Sequence, residues 1–158
     1  PYYNLSYFED HVSAISNIEK YNIIHGDCTF SNTLVDDNCQ VWLIDPRGTF
    51  GSTKIYGDRR YDWAKLYYSV SGNYDSINSK KFKVSILNDC VDLEIESNGY
   101  EQMSDYVISR SGMTKKEMLL INATIWLSLT GYVKEDIDAA MYAFYKGCEL
   151  WTQAFSQD

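Results

Sequence analysis

The stretch Ile24-His25-Gly26-Asp27-Cys28-Thr29-Phe30-Ser31-Asn32, followed by Leu43-Ile44-Asp45-Pro46, decides how this chain is read. It sets three side chains with proton- or metal-handling chemistry in a fixed order: Asp27, Asn32 and Asp45. An ordinary aspartate is ionised at neutral pH and can take a proton from a hydroxyl held against it. Asn32 offers a neutral carbonyl oxygen and Asp45 a full charge. Both suit magnesium, which takes few protein ligands and completes its shell with water and phosphate oxygens. Residues 32–35 and 40–44 read as two short strands around the polar turn Asp36-Asp37-Asn38. Such a hairpin begins at the Asn and ends at the second Asp, so it brings both to one end. Taken singly, these residues would be a turn-capping Asp, a turn Asn and a strand-end Asp; the ordered combination is what points to chemistry.

Beyond Asp45, a passage bounded by Gly48 and Gly57 leads into Gly57-Asp58-Arg59-Arg60-Tyr61-Asp62-Trp63-Ala64-Lys65-Leu66. The succession H-G-D-x-x-x-x-N, then I-D, then G-D-x-x-x-D-W-A resembles the aminoglycoside phosphotransferase, choline kinase and fructosamine kinase superfamily. Fructosamine kinases share I-D-P and then G-x-R-x-x-D-L. The resemblance covers residues 23–71. It implies an α+β fold, the mainly helical C-terminal lobe of a protein-kinase-like fold, with short β-hairpins carrying the catalytic and metal residues. It also implies ATP- and Mg2+-dependent transfer of a γ-phosphoryl group to a hydroxyl of a small molecule, whether sugar, aminoglycoside or amino alcohol. Asp27 would then be the catalytic base, and Asn32 and Asp45 the metal ligands.

The same resemblance gives His25 and Asp62 supporting roles. The His25 ring could hydrogen-bond backbone near Asp45 and hold the loop. Asp62 could accept hydrogen bonds from catalytic-loop amides; equally, it could be a first-turn carboxylate favoured by the helix dipole. Arg47 stands where many relatives have no basic residue. It could contact a phosphate of nucleotide or substrate, or pair with a carboxylate such as Asp58.

Kinases of this type carry an N-terminal lobe with a phosphate-covering loop and a Lys that pairs with the phosphates. The 24 residues before His25 contain no G-x-G-x-x-G. The chain therefore reads as one domain, residues 1–158, the C-terminal lobe of a longer polypeptide, inactive without its N-terminal lobe. A rival reading is a non-catalytic binding or scaffolding module with a kinase-like lobe. Retention of Asp27, Asn32 and Asp45 argues against it. A metal-dependent phosphohydrolase would need more ligands than a chain with 2 His supplies.

A length of 158 residues suits one core. With 14 Lys and Arg against 22 Asp and Glu, the formal charge is -8. That disfavours nucleic acid and anionic membranes as partners. It could draw a cationic acceptor, although solubility alone accounts for it. Cys28, Cys39, Cys90 and Cys148 form no C-x-x-C, which fits free thiols and a cytoplasmic location. No apolar run reaches the roughly 18 residues of a membrane span. Most of the 14 Tyr and 4 Trp read as core, although aromatics could also stack on a sugar or surround a quaternary ammonium.

The remaining elements follow from periodicity and caps. Phe8, Val12, Ile15 and Ile18 predict a helix over 6–21, with His11 on its surface. Residues 49–56 read as a loop, and a helix begins at Asp58 or Tyr61 and runs to 71. Residues 82–87 and 91–95 form a hairpin around Asn88-Asp89, and a helix over 100–109 ends near Gly112. Thr114-Lys115-Lys116-Glu117 is a capping box, opening a helix over 115–130 that Gly131 stops. The last helix covers 135–155 with an inner stripe of Ile137, Met141, Phe144, Tyr145, Cys148 and Trp151. Helices after Gly72 are expected to form the acceptor pocket.

Overall fold

Side chains that satisfy free backbone amides mark where the main helices begin. Helix α1 (Arg59–Val70) is capped by Asp58, whose carboxylate accepts from Arg60 N–H. Helix α4 (Lys115–Tyr132) opens on the expected capping box, with Thr114 and Glu117 each accepting the other's amide. Helix α5 (Ile137–Phe155) is capped by Asp136, which accepts from Ala139 N–H. The shorter α2 (Tyr74–Asn78) and α3 (Ser104–Ser111) lie between them in the chain, and α3 ends at Gly112 with φ 73°. The computed structural model describes residues 15, 16, 18, 20–88 and 90–156.

The strands come as three separate antiparallel pairs, so the fold is α+β and mainly helical. β1 (Asn22–Ile23) pairs with β4 (Tyr56–Gly57). β2 (Thr33–Val35) pairs with β3 (Val41–Leu43) in the register Thr33↔Leu43, Leu34↔Trp42 and Val35↔Val41. β5 (Phe82–Leu87) pairs with β6 (Cys90–Ile95), placing Phe82 opposite Ile95 and Val84 opposite Leu93. That alternate set packs against the helices, as the period-2 pattern requires.

The core lies among α1, α4 and α5, centred on Trp126, which is 0% exposed. Its ring meets Tyr68 edge-on at 4.5 Å, and Tyr68 stacks on Tyr74 at 4.3 Å. Helices α4 and α5 approach closely at Gly147, where an added Cβ would sit 2.7 Å from Leu127 Cγ and 3.2 Å from the Ala123 carbonyl.

Three sequence expectations change, and a fourth lies mostly outside the described residues. Most of the helix over 6–21, His11 included, lies outside the described residues, although Ile15 packs on the core. Gly131 does not stop α4, which runs through it to Tyr132; tertiary context outweighs glycine's modest helix penalty there. The buried face of α5 is Ala139, Tyr142, Ala143, Gly147, Cys148, Leu150, Trp151 and Ala154. Ile137 is 71% exposed and Phe144 also faces out, because the close α4 contact at Gly147 sets the phase of the helix. Asn32 sits in a 3-10 turn, Phe30–Asn32, and not in β2; a second such turn, Gly51–Thr53, interrupts the expected loop. Among the described residues no helix is long and apolar enough to cross a membrane.

Candidate functional site

The loop bearing Asp27 is held from below by a carboxylate on α1. Asp62 Oδ2 accepts from His25 N–H at 2.8 Å, and Oδ1 accepts from Gly26 N–H at 2.7 Å. Of the two roles open to Asp62, these are the contacts of the loop anchor. The next turn is tied on as well: Phe30 N–H donates to Ser69 Oγ at 3.0 Å and Ser31 N–H to Asp75 Oδ1 at 2.9 Å. Gly26 takes φ +80°, and a Cβ there would meet Arg47 Cβ at 3.0 Å, so only glycine fits between loop and arginine. Arg47 N–H donates to the His25 carbonyl at 2.9 Å.

The His25 ring does not reach backbone near Asp45. Its Nδ1 accepts from Asp27 N–H at 3.3 Å, a short local turn that leaves the link toward Asp45 to main chain. With Nδ1 accepting, a neutral ring carries its proton on Nε2, which is buried without a partner among the described residues. Next to Asp27, the Cys28 thiol is pushed up to about 12, first by burial and then by the Asp62 and Asp27 carboxylates. It is therefore neither a nucleophile nor a ready metal ligand.

Asp27 is fixed through both carboxylate oxygens. Oδ1 meets Lys65 Nζ at 2.8 Å, and Oδ2 accepts from Asn32 Nδ2 at 2.9 Å. Asn32 Nδ2 also donates to the Asp27 carbonyl at 3.0 Å. Both amide hydrogens of Asn32 are thus spent on Asp27, and Oδ1 is the atom left to take a cation. The hairpin closes with Ile44 N–H on the Asn32 carbonyl at 2.9 Å, which sets Asp45 beside Asn32 at one end. Asp45 is exposed with φ +55°, and among the described residues its carboxylate has no partner. The described residues contain no group of three or more His, Cys, Asp or Glu side chains placed to hold a metal. One amide oxygen and one free carboxylate fit the sparse protein ligation of magnesium and not a closed metal cage.

No protein-family model, curated protein or solved structure matches this chain.

Beside Asp27 lies a cavity of about 380 Å³, whose walls include Arg47, Phe50, Tyr61, Lys65, Tyr74 and Tyr132. Lys65 joins it to Asp27: its ammonium pairs with the carboxylate and sits over the rings of Tyr68 and Tyr74 at 4.6 and 5.3 Å. Arg47 does not pair with Asp58, which is held by Arg60 at 2.6 Å. Instead Arg47 donates to Tyr132 Oη at 2.7 Å and Tyr61 Oη at 3.3 Å. Burial pushes the Tyr61 phenol up, opposed by the Arg47 charge, and burial also raises Tyr68 and Tyr74. Tyr132 enters this cavity from the last turn of α4, so a helix beyond Gly72 does contribute a wall.

Two members of the site were not marked in the sequence. Lys65 looks like an ordinary helical lysine, yet it is only 8% exposed. Asp58 and Asp62 fix the start and phase of α1, which puts position 65 on the face turned toward the loop. Tyr132 was hidden by taking Gly131 as a helix stop.

Proposed function

We propose that this chain is the acceptor-binding lobe of an ATP- and magnesium-dependent phosphotransferase with a small-molecule hydroxyl as acceptor. One observation carries the reading: the Asp27 carboxylate is held at both oxygens, by Lys65 and Asn32, next to an aromatic cavity, with the metal-type donors Asn32 and Asp45 flanking the open end of the β2–β3 hairpin. When bound, the magnesium nucleotide supplies the phosphoryl group and the metal neutralises its developing charge.

The chain's own residues orient and hold. Asp27 keeps free lone pairs beyond its two fixed contacts and would accept the acceptor's hydroxyl proton as that oxygen bonds to the γ-phosphorus and the nucleoside diphosphate leaves with the bridging oxygen. Lys65 balances the Asp27 charge and fixes its rotamer. Asn32 Oδ1 and Asp45 would hold the ion. Asp62 keeps the loop in place through two amides, and His25 helps shape it. The cavity walls shield the acceptor from water and present its hydroxyl toward Asp27. The proposal assigns the chain no nucleic-acid or membrane partner, and its free cysteines suit a cytoplasmic setting.

A second reading, a non-catalytic kinase-like binding module, draws on the β2–β3 hairpin, which exposes Leu34, Trp42, Leu43 and Ile44. In the phosphotransferase reading that apolar surface is where a nucleotide-binding N-terminal lobe would rest.

The test is magnesium-dependent ATP consumption by the longest natural polypeptide containing this chain, against sugars, hydroxy acids and amino alcohols. Asp27→Asn is expected to lower turnover by about 100-fold or more with nucleotide affinity nearly unchanged. Asp45→Asn should instead weaken binding of the magnesium nucleotide. Turnover unaffected by Asp27→Asn contradicts the proposal, and no magnesium-dependent turnover with any acceptor favours the binding module.

A further inference from the structure

The charge around the cavity runs opposite to that of the whole molecule. The chain carries 22 acidic residues against 14 basic ones, yet among the described residues no Asp or Glu lines the cavity, whereas Arg47 and Lys65 do. Lys65 is matched by Asp27. Arg47 is not matched: among the described residues no carboxylate pairs with it.

Its guanidinium is held by two phenol oxygens, Tyr61 Oη and Tyr132 Oη, and lies 6.0 Å from the centre of the Tyr132 ring. Neutral hydroxyls position a guanidinium without cancelling its charge. The Tyr61 phenol, raised by burial, stays neutral at physiological pH. An arginine has five N–H donors, and two are used here, which leaves part of the fork free for an anion. Its stem is also fixed, since Arg47 Cβ sits against Gly26 and its N–H is bonded to His25. The arginine is therefore held in place without a carboxylate partner among the described residues, packed against Gly26 of the loop that bears Asp27.

We propose that this cavity selects an anionic acceptor: a sugar or polyol carrying a carboxylate or phosphate, which Arg47 grips while Asp27 faces one of its hydroxyls. Phe50, Tyr61 and Tyr74 supply flat apolar walls for a sugar ring, and about 380 Å³ accommodates a monosaccharide derivative. The inference deepens the phosphotransferase reading and rests on it for the transfer step alone. It replaces the cationic acceptor that overall acidity suggested, because the cavity wall and not the net charge meets the ligand.

Matched probes test it. Binding of D-glucuronate, D-glucose and D-glucosamine, and of glycerol 3-phosphate beside glycerol, is measured by calorimetry on wild type, Arg47→Met and Arg47→Lys. The anionic member of each set should bind about tenfold or more tighter than its neutral or cationic counterpart. Arg47→Met should erase that preference, Arg47→Lys should restore part of it, and magnesium-ATP affinity should stay unchanged in both. Either pair, glucuronate over glucose or glycerol 3-phosphate over glycerol, suffices, and the pair that responds tells carboxylate from phosphate.

Equal or tighter binding of the neutral and cationic probes overturns the proposal, as does no binding by any probe. Loss of nucleotide affinity in Arg47→Met without loss of anion preference also overturns it, by moving Arg47 to the nucleotide. Arg47-dependent anion binding with no phosphoryl transfer to any probe upholds the anion site and defeats the phosphotransferase reading instead.

Discussion

At the scale of single residues, two carboxylates of the site are each held by two groups, whereas Arg47 and Asp45 keep their charge open among the described residues. Asp27 has Lys65 and Asn32, and Asp62 has two loop amides. This explains what could be read in advance. The order of Asp27, Asn32 and Asp45 along the chain is local, and so was legible; the partnership of Lys65 with Asp27 spans helix and loop, and nothing in the spelling of Lys65 distinguishes it from a surface lysine. Cys28 shows the cost of the same crowding of carboxylates. Its thiol, pushed to about 12 by burial and by Asp62 and Asp27, keeps its proton in the folded chain long after an ordinary thiol near 9 has lost it. The folded state therefore binds more protons than the unfolded one above pH 9, so this group's contribution to stability is full below about 9 and falls as pH rises toward 12. At pH 8 an alkylating reagent should label the exposed Cys39 and Cys90 quickly, and Cys28 should react only on unfolding. Mass-spectrometric mapping checks this, and rapid native labelling of Cys28 would mean that its loop opens.

At the scale of elements, caps and turns were legible because each is settled by a few neighbouring residues. The Thr114–Glu117 box and the hairpin around Asn88 form as read. The phase of α5 was not legible, because which face is buried depends on how closely α4 can approach. Glycine makes the point quantitatively. Gly131 is helical, with nothing within 4 Å of an added Cβ, whereas the same atom at Gly147 would overlap Leu127. Gly131→Ala should therefore stabilise the chain by about 0.5–1 kcal/mol through helix propensity. Gly147→Ala should destabilise it, since overpacking of about 1–3 kcal/mol outweighs that gain. Urea unfolding of the two variants decides, and equal shifts of the same sign would mean that the α4–α5 contact relaxes freely. The loop–helix joint offers a second comparison. Asp62→Ala leaves two partly buried amides of His25 and Gly26 without acceptors, at about 1–3 kcal/mol, and should reduce turnover as well. Asp36 also accepts two amides, from Asn38 and Gln40, but in an exposed turn where water can replace it. Asp36→Ala should shift the midpoint far less than Asp62→Ala; equal shifts would remove Asp62 as the loop's anchor.

At the scale of the whole molecule, burial is distributed unevenly. The core among α1, α4 and α5 closes over Trp126, whereas the β2–β3 hairpin leaves its apolar side chains in the open. Leu34 and Trp42, a facing pair, are 52% and 49% exposed, and Val35, Val41, Leu43 and Ile44 add to them. Exposed apolar surface of this kind is typical of interaction sites, and it is the seat that the phosphotransferase proposal gives an N-terminal lobe. It also stands at the end of the hairpin that carries Asn32 and Asp45, so whatever covers it sits next to the proposed metal donors. Because the pair contributes little to the core, Leu34→Ser with Trp42→Gln should leave the unfolding midpoint within about 0.5 kcal/mol of wild type. The same double variant should lower the fluorescence of a hydrophobic dye bound to the folded chain. On the phosphotransferase proposal it should also reduce nucleotide turnover in the longest natural polypeptide, where the proposed N-terminal lobe would lose its seat. A large loss of stability would show that the hairpin is packed in solution, and unchanged turnover would free the hairpin from any part in holding the nucleotide.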